Sequence, residues 1–538
     1  MSCANIVSPT GGPKDITPPV ILKSNPANFS YSVNPKLIKI DFDEFIVLKD
    51  IASQVIISPF VKNSPEIKTK GKSIIIDIKD TLKPDFTYSI TFGNSITDNN
   101  EGNILKNYRY VFSTGNAIDT LVVKGIIKNA LSLKAEKNIY CFLYNNIYDS
   151  VPYKETPTYI TQTNETGEFL FTNIKSGSYK IFALNDLNTN FLFDQPNEQI
   201  GFIDSLIIPE PIDTFKTDSL IKKNTIHSLL LFEEKPASQV LLKSFSEDYG
   251  RINLIFRKPT EHITYVSLDS NKTPSSIYLQ EINETKDTLS IWLKSADIDT
   301  FSCKIMDNGE IIDTIEVDIL KMGEKKNSGR GEDLSKVKIN PIANNKTFDY
   351  YKLFSFSCSS PIKNYFFENI ILIENKDTIS AKYIFTDSIK KNISLTYKLK
   401  EKMNYTLYIP NKTFTDIYDR ENDSLRISFT TNEMKDYGNL ILNFKPSGVF
   451  ANYIIQLISE TSEEIIQKYS TETANTINFN NILPGNYKIK VICDLNKNNE
   501  WDTGNYLKKD QAEKIIYYPT TIVVKPNWDQ NFDWDISE

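Results

Sequence analysis

Two histidines, His227 and His262, are all that the 538 residues contain. Imidazole is the side chain that ordinarily titrates nearest neutrality, so a His-based active site has almost no material here. Five cysteines, Cys3, Cys141, Cys303, Cys358 and Cys493, stand far apart in the chain. That leaves no CxxC pair for a metal or redox couple, and an odd count fits a disulfide framework poorly. No apolar run reaches the roughly 18 residues of a membrane span. The P-loop, G-x-S-x-G and G-x-G-x-x-G patterns are missing, and Gly329-Arg330-Gly331 is only part of a polar stretch. A formal net charge of −7 argues against a nucleic-acid partner. These absences lead to the expectation that the protein is not an enzyme.

What is abundant is aromatic: 31 Phe, 28 Tyr and 4 Trp, a composition that favours strands. Leu37-Ile38-Lys39-Ile40-Asp41-Phe42, Lys72 through Ile78 and Tyr88-Ser89-Ile90-Thr91-Phe92 are short, rich in β-branched or aromatic residues, and bounded by turn formers. Long helical periodicity is nearly absent, so the chain reads as all-β, built of sandwiches. Its length predicts about three to five domains. Cys141, Cys303, Cys358 and Cys493 lie in or beside apolar runs and read as small buried hydrophobes.

Two internal repeats organise the chain. Leu82-Lys83, Tyr88 through Phe92, Asn94, Asp98 and Phe112-Ser113-Thr114 recur as Leu399-Lys400, Tyr405 through Ile409, Asn411, Asp416 and Phe429-Thr430-Thr431, with spacing held within one residue. Phe171 through Ile181 aligns without a gap on Phe479 through Ile489, each with a turn glycine, Gly177 or Gly485, expected at positive φ. The first repeat resembles the closing half of the SbsA-type bacterial Ig-like domain. The second resembles prealbumin-like or carboxypeptidase-regulatory-like β-sandwiches. The resemblances imply tandem Ig-like and prealbumin-like modules in an extended or arched arrangement. The expected order is a leader at 1–17, an Ig-like domain at 18–116, a prealbumin-like sandwich at 117–234 and a further sandwich at 235–325. A linker at 326–336, a second Ig-like domain at 337–434 and a second prealbumin-like sandwich at 435–538 complete it.

Cys3 heads a Pro/Gly-rich stretch that includes Pro9-Thr10-Gly11-Gly12-Pro13-Lys14-Asp15 and Pro18-Pro19. This stretch resembles the leader of Bacteroidota lipoproteins with an amino-terminal Ig-like domain, which implies lipidation of Cys3. No apolar signal region precedes it in this sequence.

The most specific polar motif follows each Gly-x-Tyr strand. Asp186, Asn188, Asn190 and Asp194, and in the second copy Asp494, Asn496, Asn498 and Asp502, occupy positions 1, 3, 5 and 9 of a loop. That spacing suits Ca²⁺, a hard cation needing six to eight oxygens. Position 6 holds Phe191 and Asn499 in place of Gly, and position 12 holds Asn197 and Asn505 in place of Glu. The other reading is a hairpin loop held by Asx-turns. A second pattern, Asp followed by Ser or Thr and an aliphatic residue, places hydroxyls at Thr81, Thr120, Ser150, Ser205, Ser219, Thr288, Thr314, Thr378, Ser388 and Ser424. It resembles the O-glycosylation acceptor motif of extracytoplasmic Bacteroidota proteins; the bland reading is a turn Asp abutting a strand start. Asp41 and Asp43 share a strand face but read as a solvated rim, not a glycosidase pair. Trp501, Trp528 and Trp534 read mainly as buried aromatics.

The expectation is a non-enzymatic outer-membrane lipoprotein, facing the cell surface or the periplasm. It would serve as a structural or binding accessory subunit for outer-membrane or other envelope proteins, for example in an assembly or transport complex. The alternative is a carbohydrate-binding or adhesive surface protein using Trp501 and the Asp/Asn loops. No cofactor is implied except Ca²⁺ on the first reading of those loops.

Overall fold

The computed structural model describes residues 15–212, 225–236, 238–260, 262–268, 277–293, 299–320, 335–342 and 347–536. Cys3, Ser219 and almost all of the 326–336 linker lie outside them. The described chain is nearly all strand, and its helices are single turns such as Ile51–Gln54 and Val151–Lys154. Among the described residues no helix is long and apolar enough to cross a membrane.

The first sandwich follows from strict alternation. In Leu37–Phe42, Ile38, Ile40 and Phe42 point inward while Leu37 and Lys39 face out. That strand pairs antiparallel with Ser73–Asp77, setting Ile38 beside Ile76 and Ile40 beside Ile74. Strands Ile21–Asn25 and Glu66–Lys70 complete a four-stranded sheet. A second sheet of Ile56–Ser58, Thr87–Thr91 and Arg109–Ser113 closes over it on a core that includes Tyr88, Ile90 and Phe112.

The repeat is visible at atomic detail. Tyr88 pairs with Phe112, and Tyr405 with Phe429, across equivalent antiparallel strands. The rings stack at 5.5 and 5.4 Å in the two copies. The Lys83 N–H donates to the Tyr88 hydroxyl (2.8 Å), as the Lys400 N–H does to Tyr405 (2.9 Å). Thr114 and Thr431 tie down the same corner, donating to the carbonyls of Lys83 and Lys400. Equivalent side chains thus fix equivalent backbone, as expected where a sequence repeat is also a packing repeat.

The second repeat behaves alike. Leu121–Asn129 pairs antiparallel with Glu168–Ile174 and parallel with Ile226–Glu233. Gly438–Lys445 pairs antiparallel with Asn475–Ile482 and parallel with Asp529–Asp535. The hydroxyls of Tyr179 and Tyr487 donate to the carbonyls of Lys175 (2.9 Å) and Leu483 (2.7 Å). The two copies differ at the glycine. Gly177 takes a positive φ of 157°, as expected, whereas Gly485 is not among the positive-φ residues; Asn173 and Asn481 also turn left-handed, at 59° and 56°. Asn tolerates the left-handed region, and here it does so at an irregularity inside each strand, Glu168–Ile174 and Asn475–Ile482, four residues before the glycine. Glycine is needed elsewhere: a Cβ on Gly125 would lie 2.1 Å from the His227 carbonyl oxygen, where two strands run parallel.

Between the repeats, Leu241–Asp248, Arg251–Phe256, Thr288–Leu293 and Ile277–Ile282 form one sheet. Ile263–Ser267, Thr300–Asp307 and Glu310–Asp318 form the other, on a core including Ile252, Leu254, Ile291 and Ile305. Cys141, Cys303, Cys358 and Cys493 are buried free thiols, and burial pushes all four up from the ordinary thiol range.

By its contacts the chain divides into two units. One comprises 1–234 together with 492–515, the other 235–491 together with 516–538. Segment 492–515 therefore belongs with the first two sandwiches, although its sequence repeat belongs with the last.

Candidate functional site

The two Asp/Asn loops follow Lys180–Asn185 and Gly485–Asp494. In the first, Asp186 is buried and accepts the backbone N–H of Thr189 (2.7 Å) and Phe191 (2.8 Å). Asn188 and Asn190 donate their amides to the two oxygens of Asp194, at 3.0 and 2.8 Å. Their own oxygens accept the N–H of Asn190 and Leu192. The second loop repeats this. Asp494 accepts Lys497 N–H and Asn499 N–H, and Asn496 and Asn498 both donate to Asp502, at 2.6 and 2.7 Å. The residues at position 6 turn left-handed although neither is glycine: φ is 63° at Phe191 and 61° at Asn499.

Each loop also holds a buried carboxylate that the spacing argument missed. Glu198 accepts the N–H groups of Leu187, Asp194 and Gln195. Glu513 accepts those of Leu495 (2.7 Å) and Asp502 (3.0 Å). Burial pushes the Glu513 carboxyl up from its ordinary value, against the pull of those two donors. The available signal was a Glu just ahead of the next strand in both copies, before Gln199–Phe202 and before Ile515–Tyr517. A cation would have to be held by Asp186, Asn188, Asn190 and Asp194, or by their second-copy equivalents. Among the described residues, no group of three or more His, Cys, Asp or Glu is placed to hold one. The bonds that these side chains make to loop N–H groups are Asx-turn bonds, which organise loop backbone.

What the loops do visibly is dock. Phe191 packs edge-on against Phe60 of the Ig-like module (5.2 Å) and against Tyr140 (5.3 Å). In segment 492–515, Tyr506 is 1% exposed and lies edge-on to Phe182 (5.1 Å) and Phe202 (5.0 Å) of the second sandwich. Its N–H donates to Glu234 (2.6 Å), Thr503 donates to the Glu233 carbonyl (2.6 Å), and Lys509 pairs with Asp149 (2.6 Å). Lys180, then Lys509, hold the Asp149 carboxyl down at about 2.

Trp501 donates its indole N–H to the Glu513 carbonyl and is half-buried, so it braces its own loop. Trp534 is buried in the final strand, but Trp528 is 50% exposed beneath Lys525, against the expectation of burial. It precedes the Asp529–Asp535 strand and so escapes that strand's alternation. Asp41 pairs with Lys39 and accepts from Ser73, while Asp43 accepts the Val20 N–H; both serve the strand edge.

Of the Asp-Ser/Thr-aliphatic hydroxyl residues, Thr81, Thr120, Ser205, Thr314, Thr378, Ser388 and Ser424 are exposed, and Ser150 and Thr288 are half-buried. The next residue is buried at Leu82, Val151, Leu289, Ile315 and Ile389. Strand alternation alone puts the hydroxyl out when the aliphatic points in, so exposure satisfies a glycan's need and the strand-start reading equally.

Residues 15–114 match the bacterial Ig-like domain family. A comparison with curated proteins gives no match. Among solved structures, the major pilin subunit BcpA of Bacillus cereus is 10% identical, with 77% of this chain and 99% of that one covered at a TM-score of 0.16. The surface layer protein SbsC, domains 1–6, is 11% identical over 94% of this chain and 66% of its own length, at 0.14. Native alpha-2-macroglobulin from Escherichia coli, spanning domains MG0-NIE-MG1, is 7% identical over 36% and 96%, at 0.17. Scores this low bear on neither the arrangement of the modules nor their work.

Proposed function

We propose that this is a non-catalytic protein of the bacterial cell envelope, tethered to the outer membrane by lipid on Cys3. It acts as a structural or binding accessory subunit for other envelope proteins. The observation that carries the reading is where the carboxylates go. Asp98, Asp416, Asp186, Asp494, Glu198 and Glu513 are buried, and each accepts backbone N–H groups of its own loop. They build corners on serial sandwiches, leaving the work to module surfaces. A bacterial Ig-like domain at 15–114 fits such a scaffold. A diacylated cysteine supplies two chains, which suffices for stable anchoring.

The test is metabolic labelling with a palmitate analogue, with detergent-phase partitioning of the wild type and Cys3→Ala. Label on the wild type and none on the variant supports the anchor; an unlabelled wild type removes it. Affinity purification of the native protein from membranes should recover stoichiometric envelope partners. Recovery of the chain alone would remove the accessory role.

A further inference from the structure

One groove is built unlike the rest of the surface. It measures about 470 Å³ and runs between the first Ig-like module and the first prealbumin-like module. That is within the range of small-molecule sites, about 300–1,000 Å³. Its walls are held by bonds between the modules. The Phe60 N–H donates to the Thr158 carbonyl (3.0 Å), the Ile160 N–H to Ser58 Oγ (3.2 Å), and Arg109 to the Thr172 hydroxyl. The edge strands Ile56–Ser58 and Tyr159–Gln162 therefore form a fixed floor.

The polar part of the lining is mostly amide and hydroxyl, with Ile56, Ile160, Leu170 and Phe171 supplying apolar surface. Only Lys106 and Glu165 carry charge, and Glu165 is already paired with Lys137 (3.1 Å). Several lining groups are consumed by the fold: Gln54 accepts the Asn94 N–H, and Asn164 accepts from Thr166 and Glu168. Others are not. The side chains of Thr91, Asn94, Asn107, Asn138 and Gln162 make no hydrogen bond or ion pair among the described residues and meet water. They present donors and acceptors together, from both modules, around the 49% exposed side chain of Leu170.

Hydroxyl groups need this mixture. Each is donor and acceptor at once, and an amide answers both roles without charge. A single ammonium, Lys106, is little countercharge for a polyanionic ligand, uncharged amides and hydroxyls make up most of the polar lining, and an apolar ligand would strand the amides. The geometry points to a binding site for a neutral oligosaccharide, with Gln162, Asn107 and Asn138 addressing hydroxyls and Leu170 meeting the C–H face of a ring. This goes beyond the accessory-subunit reading and stands whether or not Cys3 is lipidated.

The test is calorimetric titration of the folded chain with maltohexaose, cellohexaose, xylohexaose and mannohexaose, and with an acidic hexamer of galacturonate. Saturable binding of at least one neutral hexamer is expected, reduced tenfold or more by Gln162→Ala with Asn107→Ala. Both residues lie outside the cores, and an unchanged melting temperature checks the fold. Trp528→Ala, the exposed aromatic elsewhere, should leave affinity unaltered. Binding of none of the neutral hexamers, preference for the acidic one, or indifference to the groove variants each overturns the assignment.

Discussion

The docking of Tyr506 can be broken by one substitution. Its ring is enclosed by Phe182, Phe202 and Tyr153, with centroids at 5.1, 5.0 and 6.1 Å. A buried aromatic removes about 150–250 Å² from water, worth about 4–6 kcal/mol at about 25 cal/mol per Å². Residual burial in the unfolded chain trims that by about 10–40%. Tyr506→Ala should therefore cost about 3–5 kcal/mol, matching the usual range for emptying a buried aromatic site. Tyr506→Phe should cost under about 1 kcal/mol, because the hydroxyl donates to Asp149 only at a long 3.5 Å. The chain is multi-domain, so one melting temperature does not isolate this effect. Hydrogen exchange read on peptides covering 503–511 does. Tyr506→Ala should accelerate it at least about 100-fold, taking about 1.4 kcal/mol per tenfold. Unchanged exchange in Tyr506→Ala, or equal acceleration in Tyr506→Phe, would refute the packing argument.

Arg420 lies against Asp416 (2.7 Å) and Asp248 (3.2 Å), with its side chain 2% exposed and that of Asp416 wholly buried. Arg420→Ala should destabilise unit 235–491/516–538 by about 3–5 kcal/mol in urea unfolding, since a buried carboxylate loses its cation; a loss under about 1 kcal/mol would contradict this. Asp149 titrates at about 2 in the fold against an ordinary 3.8. Its contribution is therefore complete above about pH 4 and fades as pH falls towards 2. Protection at 503–511, taken as exchange relative to the intrinsic rate at each pH, should fall across that window, and Asp149→Asn should flatten the profile; an identical profile in the variant would dismiss the ion pair. The Asp/Asn loops satisfy their own turns, so thermal unfolding in EDTA and in 5 mM CaCl₂ should agree to within about 1 °C. Stabilisation by several degrees would install a cation at the Asp186 or Asp494 loop.

Strand content was legible because alternation is local. Leu37–Phe42 announces which side chains are core, and its partner Ser73–Asp77 carries the complementary face. The repeats were legible because Tyr88 and Tyr405 each do two jobs at fixed spacing: each ring packs a core and each hydroxyl holds a backbone corner. Glu198 and Glu513 escaped detection because a carboxylate that caps N–H groups has no fixed offset. One sits 12 residues after its loop's first Asp, the other 19, as loop length dictates. The expected positive φ holds at Gly177 but not at Gly485, although the two segments align without a gap, because the same sequence pattern does not fix the backbone angle of its glycine. Tyr506 was illegible for a deeper reason. Its partners lie more than 300 residues away in sequence at Phe182 and Phe202, and a lone Tyr among Asn, Lys and Gly carries no periodicity. The same holds for the groove, whose amides come from 91–107 and 138–162 and become one surface only when two modules share a bonded edge. Periodicity reports what a strand does within its own sandwich. What one module does to another is written in side chains that alternation leaves over, which is where function in a serial β-sandwich protein has to be sought.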